Sequence, residues 1–470
     1  MANPSTRRRF LKDTALAGAG LWIAGSSPSF GRPGSANEKL HIAGVGVGGK
    51  GHSDLAMTAK NNRVVALCDV DDHTLSRAAD AYPGAQVYHD WRKLLERQDI
   101  DAVTVSTPDH MHAPVAMAAM ELGKHVYVQK PMAHTVKEAR LLTEAARKYK
   151  VVSQMGNQGH SGSRYRSVVR LVRSGVIGKV KEAHAWSNRP IWPQGIDRPE
   201  GEDPVPPHLH WDLWLGVAPH RPYIGARGEG RRRRGVYHPF SWRGWLDFGV
   251  GALGDMGCHI IDPIVWGLDL SAPNLVWYEG PRSNGETYPD WERIHYEFPA
   301  TKYTSGAIRM TWHDGGKKPE ESKVPLPLPV PETSSGRRRR RGGGDPNAIP
   351  DNASLFIGEK GSILCRHGGF PVLLPTKEFA DVKIERLPED DHYQQWTDAC
   401  KGQGKATSHF DYSGPLTETV LLGTVAMRSP REKLEWDAKN LRFENNREAN
   451  RYLEKTYRKG WKVNGLVSSA

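Results

Sequence analysis

From Leu40 to Gly51 the chain reads Leu-His-Ile-Ala-Gly-Val-Gly-Val-Gly-Gly-Lys-Gly, an apolar strand running directly into a glycine-rich turn. Gly46, Gly48 and Gly51 have the spacing G-x-G-x-x-G. A dinucleotide pyrophosphate needs bare backbone and a helix N-terminus close by, and a side chain at either of the first two glycines blocks the turn or the phosphate. A register of Gly44, Gly46 and Gly49 has the same spacing but places the turn inside the strand. The next stretch, 53–60, is expected to form the helix whose amides face the phosphate. A second strand over 63–68 ends at Asp69, 23 residues after Gly46, near the separation of the acid that binds a ribose 2′-hydroxyl. An acid there repels a 2′-phosphate, so NAD is favoured over NADP.

The chain has 470 residues, room for two or three domains, and a formal charge of +12. That charge is localised. Residues 1–36 carry five basic groups and one acid, and arginine runs at 231–234 and 337–341 carry nine more. The remaining body is close to neutral, which argues against nucleic acid as a partner. The N-terminal Thr-Arg-Arg-Arg-Phe-Leu-Lys at 6–12, followed by a short apolar run over 15–24, matches a twin-arginine export signal. The run is too short for a membrane span, and no cysteine follows it to hold a lipid anchor. Residues 1–36 are therefore read as a leader, and the mature protein as periplasmic or secreted. The four cysteines, Cys68, Cys258, Cys365 and Cys400, form no C-x-x-C pair; they are read as free thiols, and no metal site is expected.

Beyond Asp69, helical and apolar segments alternate. Helices are expected over 72–82, 91–97, 111–122 and 136–149. Strands are expected over 86–88, 102–106, 125–128 and 151–154. This alternation predicts a doubly wound parallel sheet, a Rossmann domain over 38–155. The pattern changes after 155. Strand-like stretches recur at 179–188, 274–279, 292–298, 307–312 and 354–365, with helices expected at 163–174, 254–266, 392–401 and 415–428. Residues 156–465 thus read as an α+β domain with a large, mostly antiparallel open sheet, a face suited to self-association. Segments 225–236 and 316–350 lack core-building pattern and read as flexible surface loops.

Three constellations carry chemistry. Thr107-Pro108-Asp109-His110-Met111-His112 follows the 102–106 strand, at the carboxyl end where a doubly wound sheet binds its ligand. His110 and His112 are its expected exposed groups. Gln129-Lys130-Pro131 ends the next strand, placing an ammonium where it can polarise a hydroxyl or carbonyl oxygen. Asp255 and His259 lie four apart and share one helix face, where a carboxylate beside an imidazole would raise its basicity and orient it. Asp262 is one turn further on, but no third metal ligand is evident. Trp186, Trp192, Trp211, Trp214, Trp242 and Trp245 lie between these motifs; core packing and stacking against a sugar are both open to them.

Taken together these motifs resemble the Gfo/Idh/MocA family, with similarity from about Leu40 to Trp461. The turn Thr107 to His112 is similar to its T-P-[ND]-x-x-H, Gln129-Lys130-Pro131 to its E-K-P, and Asp255 to Asp262 to its D-x-G-x-H-x-x-D helix. The segments at 154–160 and 211–216 resemble those of an exported bacterial subgroup. The resemblance implies Lys130, Asp255 and His259 as the proton-transfer and substrate-binding set. It implies Gly46, Gly48, Gly51, Asp69, Thr107, Pro108, His112, Gln129 and Lys130 along the cofactor, with Trp242 and Arg243 reaching its carboxamide or the substrate. Gln129 departs from the family glutamate, which bears on the basicity of the lysine. The implied activity is hydride transfer between nicotinamide and a hydroxyl of a sugar, glycoside or cyclitol; because free NAD is scarce outside a cytoplasm, the export signal favours a tightly bound NAD. A redox-neutral cleavage of glycosides through a transient 3-keto intermediate is the first alternative. A non-catalytic sugar- or nucleotide-binding protein is the second.

Overall fold

A computed structural model describes residues 39–228, 234–328 and 348–466. The leader, the arginines at 231–233 and the 337–341 run lie outside these residues. Among the described residues no helix is long and apolar enough to cross a membrane.

Six parallel strands form the first sheet: β1 (His41–Val45), β2 (Arg63–Cys68), β3 (Gln86–Tyr88), β4 (Ala102–Val105), β5 (His125–Val128) and β6 (Ser153–Met155). Their order is β3-β2-β1-β4-β5-β6. This order reverses direction between β1 and β4, and the loops leaving those two strands open a ligand crevice there. β4 is buried at every position, as a parallel strand covered on both faces must be. Helices α1 (Lys50–Thr58), α2 (Asp72–Ala81), α3 (Trp91–Leu95), α4 (His112–Glu121) and α5 (Val136–Tyr149) cover the sheet. α1 starts three residues earlier than expected, so Gly51 lies in its first turn. The start of α5 is fixed by a capping box between Thr135 and Glu138, which satisfies two otherwise orphaned amides.

The second sheet has nine strands in the order β15-β14-β13-β7-β12-β11-β10-β16-β17. They are β7 (Val180–Trp186), β10 (Leu275–Glu279), β11 (Arg293–Phe298), β12 (Thr304–His313), β13 (Ala353–Gly358), β14 (Ser362–Arg366), β15 (Pro371–Leu374), β16 (Leu434–Asp437) and β17 (Arg442–Phe443). β7 pairs parallel with β12 and every other neighbour is antiparallel. The single stretch expected at 354–365 is a hairpin, β13 and β14, turned at Glu359-Lys360-Gly361. The segment at 225–236 is not an unstructured loop at its ends: β8 (Ala226–Arg227) and β9 (Arg234–Gly235) pair antiparallel.

α6 (Ser163–Ser174), the short α7 (Trp211–Leu215), α8 (Gly251–Ile260), α9 (Asp262–Leu268), α10 (His392–Cys400) and α11 (Phe410–Ala426) complete the chain. The one helix expected over 254–266 is two, broken at Ile261. α11 begins five residues before Pro415 and carries that proline internally. One apolar core, from Val45 and Val103 through Leu253 and Ile264 to Phe356 and Val420, is continuous across both sheets.

Candidate active site

At the end of β1 the chain turns through Gly46, whose φ of 76° is a region side-chain-bearing residues avoid. A Cβ there would lie 2.7 Å from the Ser106 carbonyl oxygen, and a Cβ on Gly51 would lie 1.8 Å from the carbonyl oxygen of Gly46. The turn and the first turn of α1 are thus pressed against the exit of β4 with no room for a side chain. At Gly48 a Cβ would strike the Thr74 methyl at 2.7 Å. Asp69, at the end of β2, accepts from the amides of Val47 (2.9 Å) and Asp71 (3.1 Å). It braces the turn, and burial pushes its carboxyl up to about 6. Thr107 Oγ1 is buried without a hydrogen-bond partner among the described residues. Bare turn, helix amides, acid and unpaired hydroxyl line one crevice, and they fit a dinucleotide with a free ribose 2′-hydroxyl.

The histidines after β4 are not exposed. His110 and His112 are both buried. The ring nitrogens of His112 face the carbonyls of Pro131 (2.7 Å) and Thr107 (2.8 Å), which ties the Pro108 turn to the end of β5. Those of His110 face the carbonyls of Phe248, Trp214 and Leu215 at 3.2 Å. Burial pulls His112 down to about 4 and His110 to about 3, so both are neutral and structural. The resemblance implies His112 along the cofactor; its ring instead sits between two backbone carbonyls, donating to one of them, and holds the loop that carries Thr107.

β5 delivers Lys130 into the crevice, and α8 delivers Asp255 to meet it. Lys130 Nζ donates to Asp255 Oδ1 at 2.8 Å and to the Asp255 carbonyl at 2.6 Å. Two arginines stand behind the same carboxylate: Arg189 Nε is 3.4 Å from Oδ2 and Arg243 Nε 3.6 Å from Oδ1. Burial alone would raise the Asp255 carboxyl, but Lys130, Arg243 and Arg189 hold it down at about 2. The expected Asp255–His259 pairing is therefore displaced, because the lysine and arginines outcompete a neutral imidazole for the carboxylate. His259 Nδ1 is buried without a hydrogen-bond partner among the described residues. Burial first, then Lys130 and His367, push this histidine well below its ordinary value rather than above it. The His367 ring lies 5.6 Å away and Tyr165 reaches that ring's Nδ1 at 3.0 Å.

Gln129 does not face Lys130's partners. Its Nε2 donates to Asp54 Oδ2 at 2.8 Å. Asp54, fully buried on α1, also accepts from Ser106 Oγ (2.9 Å) and Tyr393 (2.8 Å), and Lys50 pairs with it. The negative charge beside the lysine strand thus sits on the helix after the glycine turn. Asp109, like Asp54 and Arg189, has a place in the site that its sequence pattern does not show: its Oδ2 accepts from the Val250 amide at 3.0 Å, which joins the turn after β4 to the start of α8. Burial pushes its carboxyl up to about 7, against the pull of Arg243 and Lys130.

Asp262 belongs to a separate buried cluster with His160 (3.0 Å), Asn157 (3.3 Å) and the Tyr412 hydroxyl. The six tryptophans are all buried. Trp211, Trp214, Trp242 and Trp245 form an aromatic core with Tyr237 and Phe248, so none is a free platform for a sugar. Trp242 instead lies under the Arg243 guanidinium at 4.3 Å. Asp72, His89 and His210 converge just past the carboxyl ends of β2 and β3, with His89 Nε2 2.7 Å from Asp72 Oδ1. They are half-exposed and lie outside the Lys130 cluster. A cavity of about 660 Å³ near Arg140, Trp266 and Tyr412 shares no residue with that cluster either.

Two family models match the chain. One, described as an oxidoreductase family with an NAD-binding Rossmann fold, covers residues 39–157; the other, its C-terminal alpha/beta domain, covers 162–308. Among curated relatives, a glycosyl hydrolase family 109 protein of Saccharopolyspora erythraea is 34% identical over 206 residues, 38% of this chain and 45% of the relative. One of Shewanella baltica is 32% identical over the same shares. The chain thus spans about half the length of these relatives. Among solved structures, the WlbA dehydrogenase of Bordetella pertussis in complex with NADH and UDP-GlcNAcA aligns over 86% of this chain and 99% of its own. Its TM-score is 0.56 at 14% identity. Levoglucosan dehydrogenase in complex with NADH and levoglucosan aligns over 85% and 99%, with a TM-score of 0.53 at 15% identity. At these identities the structural likeness is one of fold.

Proposed function

The chain belongs to the Gfo/Idh/MocA oxidoreductase family, and from that premise we propose that it is an NAD-dependent oxidoreductase acting on a carbon-bound hydroxyl of a sugar, glycoside or cyclitol. The convergence of Lys130, Asp255 and His259 on the crevice beside the glycine turn carries this reading. Bound nicotinamide supplies the hydride acceptor. Gly46, Gly48 and Gly51 leave room for its pyrophosphate, Asp69 takes the ribose, and Thr107 Oγ1 offers an unused hydrogen bond.

The protein's own residues divide the remaining work. Lys130 has three N–H donors. Asp255 takes two of these contacts, which leaves one N–H to polarise the substrate oxygen. His259, uncharged because it is buried, is free to accept the hydroxyl proton. Asp255 keeps the ammonium aimed. General acid–base assistance of this kind is worth about 10²–10⁴-fold.

A second reading has one specific observation in its favour: the two curated relatives described above are glycosyl hydrolase family 109 proteins. Transient oxidation at C3 acidifies the neighbouring C–H, the glycosidic bond eliminates, and the ketone is then reduced again, with no net change in the cofactor. Such closed cycling suits an exported protein, since free NAD is scarce outside a cytoplasm. We read the N-terminal leader as a twin-arginine signal handed to its translocase. We further read the mature protein as a periplasmic or secreted enzyme that holds NAD tightly and self-associates through its open sheet.

Denaturing mass spectrometry of the purified protein tests the cofactor, by the mass of any dinucleotide released. Incubation with aryl glycosides, following both reduced nicotinamide and aglycone release, separates net oxidation from redox-neutral cleavage. Neither signal with any substrate class would leave the binding-protein reading.

A further inference from the structure

The charge around Asp255 does not balance. Lys130, Arg189 and Arg243 surround a single carboxylate, and their side chains are only 15%, 25% and 23% exposed. Lys130 alone satisfies Asp255 by hydrogen bonding. The arginines stand at 3.4 and 3.6 Å, beyond a good charge-assisted hydrogen bond. Arg189 Nε is buried with no hydrogen-bond partner among the described residues. Arg243 is held between aromatic rings, 4.3 Å from the Trp242 ring and 4.6 Å from that of Phe240, so its guanidinium is fixed before any ligand arrives.

Burying cations in excess of anions is costly in a partly desolvated site. Other nearby groups do not offset the excess. His259 and His367 are both pushed towards their neutral forms by burial, and Arg164 adds a further positive charge beside His367. Asp54, behind Gln129, is already paired with Lys50, and burial pushes the Asp109 carboxyl up to about 7, towards its neutral form. A positively charged oxidised nicotinamide would make the imbalance larger. The missing counter-charge is therefore expected on the substrate.

Resting on the reading of this crevice as the substrate site, we propose that the substrate is a sugar acid whose carboxylate is taken by Arg189 and Arg243. Two planar guanidinium groups, one of them pre-oriented by stacking, match a carboxylate's paired oxygens.

The test is calorimetric binding of matched pairs to the NAD-loaded protein: glucuronate against glucose, galacturonate against galactose, mannuronate against mannose, and their methyl glycosides. The expected result is an acid bound at least about tenfold more tightly than its neutral partner in one or more pairs, with a preference that weakens as salt is raised. Arg189→Gln is expected to weaken the acid far more than the neutral sugar, and so to remove the preference, and Arg189→Lys to restore part of it. Arg243→Gln serves as an independent variant should Arg189→Gln fail to fold. Equal binding within every pair, no binding of any acid, or a preference that survives both glutamine variants would overturn the proposal. Acids that bind without hydride transfer or aglycone release would instead overturn the proposed activity and leave the charge preference standing.

Discussion

Lys130 Nζ and Asp255 Oδ1, 125 positions apart in the chain, meet at 2.8 Å where the end of β5 faces α8. This pair joins the parallel sheet to the second domain at the point where the crevice opens. Substitution of Lys130 by Met is expected to lower kcat by about 10²–10⁴-fold while NAD content stays unchanged. Asp255→Asn leaves three cations without their carboxylate, and is expected to cost about 3 kcal/mol of stability by denaturant unfolding.

The Asp54–Gln129 contact makes a charge-placement prediction. Gln129→Glu puts a second carboxylate against a fully buried one, and is expected to destabilise the fold by about 2–4 kcal/mol. Asp54→Asn combined with Gln129→Glu restores a single negative charge and is expected to recover most of that loss. A double-mutant cycle measured by chemical denaturation gives the coupling; additive effects would show that the two side chains do not share one charge site.

The glycine turn separates close approach from backbone freedom. Gly51→Ala forces a methyl into the Gly46 carbonyl, and is expected to weaken NAD binding by at least about tenfold. Gly49 has φ 49° but nothing within 4 Å of its Cβ position. With ψ −114° it lies outside the left-handed helical region, in a conformation that glycine alone adopts readily, so Gly49→Ala is expected to lose about 1–3 kcal/mol to backbone strain and to keep its NAD affinity. Dinucleotide titration of the two variants checks the contrast.

His112 makes a signed prediction for pH. Its folded value, about 4, lies below the ordinary value of about 6.5 for an unfolded histidine. The unfolded chain therefore takes up the proton first. The stability tied to His112 is fully present above pH 6.5 and is lost as pH falls towards 4, at about 1.4 kcal/mol per pH unit. His112→Gln is expected to flatten the unfolding free energy against pH by about one proton across that window. An unchanged slope would mean that His112 is not held neutral.

The parallel domain was legible because each of its signals is local: a glycine spacing, an apolar strand, an acid at the strand's end. β4 and β5 were found within a residue or two for that reason. The second sheet was harder. Short edge strands such as β15 and β17 carry little pattern of their own, and the turn at Glu359-Lys360-Gly361 divides one expected stretch into two short apolar strands. Lys130, Asp255 and His259 were visible as motifs, but their relationship was not. Helical spacing suggested Asp255 beside His259, whereas Lys130 and two arginines from other elements claim the carboxylate. Arg189, just past β7, and Asp54, on an ordinary-looking helix, enter the site only through tertiary contacts. The tryptophans were ambiguous because a ring that could stack on a sugar also fills a core, and burial decides between the two.

The most direct measurement is a single turnover of the NAD-loaded protein with a reactive glycoside, followed by the near-ultraviolet absorbance of reduced nicotinamide. The wild type is expected to show a rise in that absorbance, transient in redox-neutral cleavage and lasting in net oxidation. Lys130→Met and His259→Asn, folded and still holding NAD, are expected to show almost none. The same rise, at the same rate, in both variants would contradict the assignment of proton transfer to the Lys130–Asp255–His259 set.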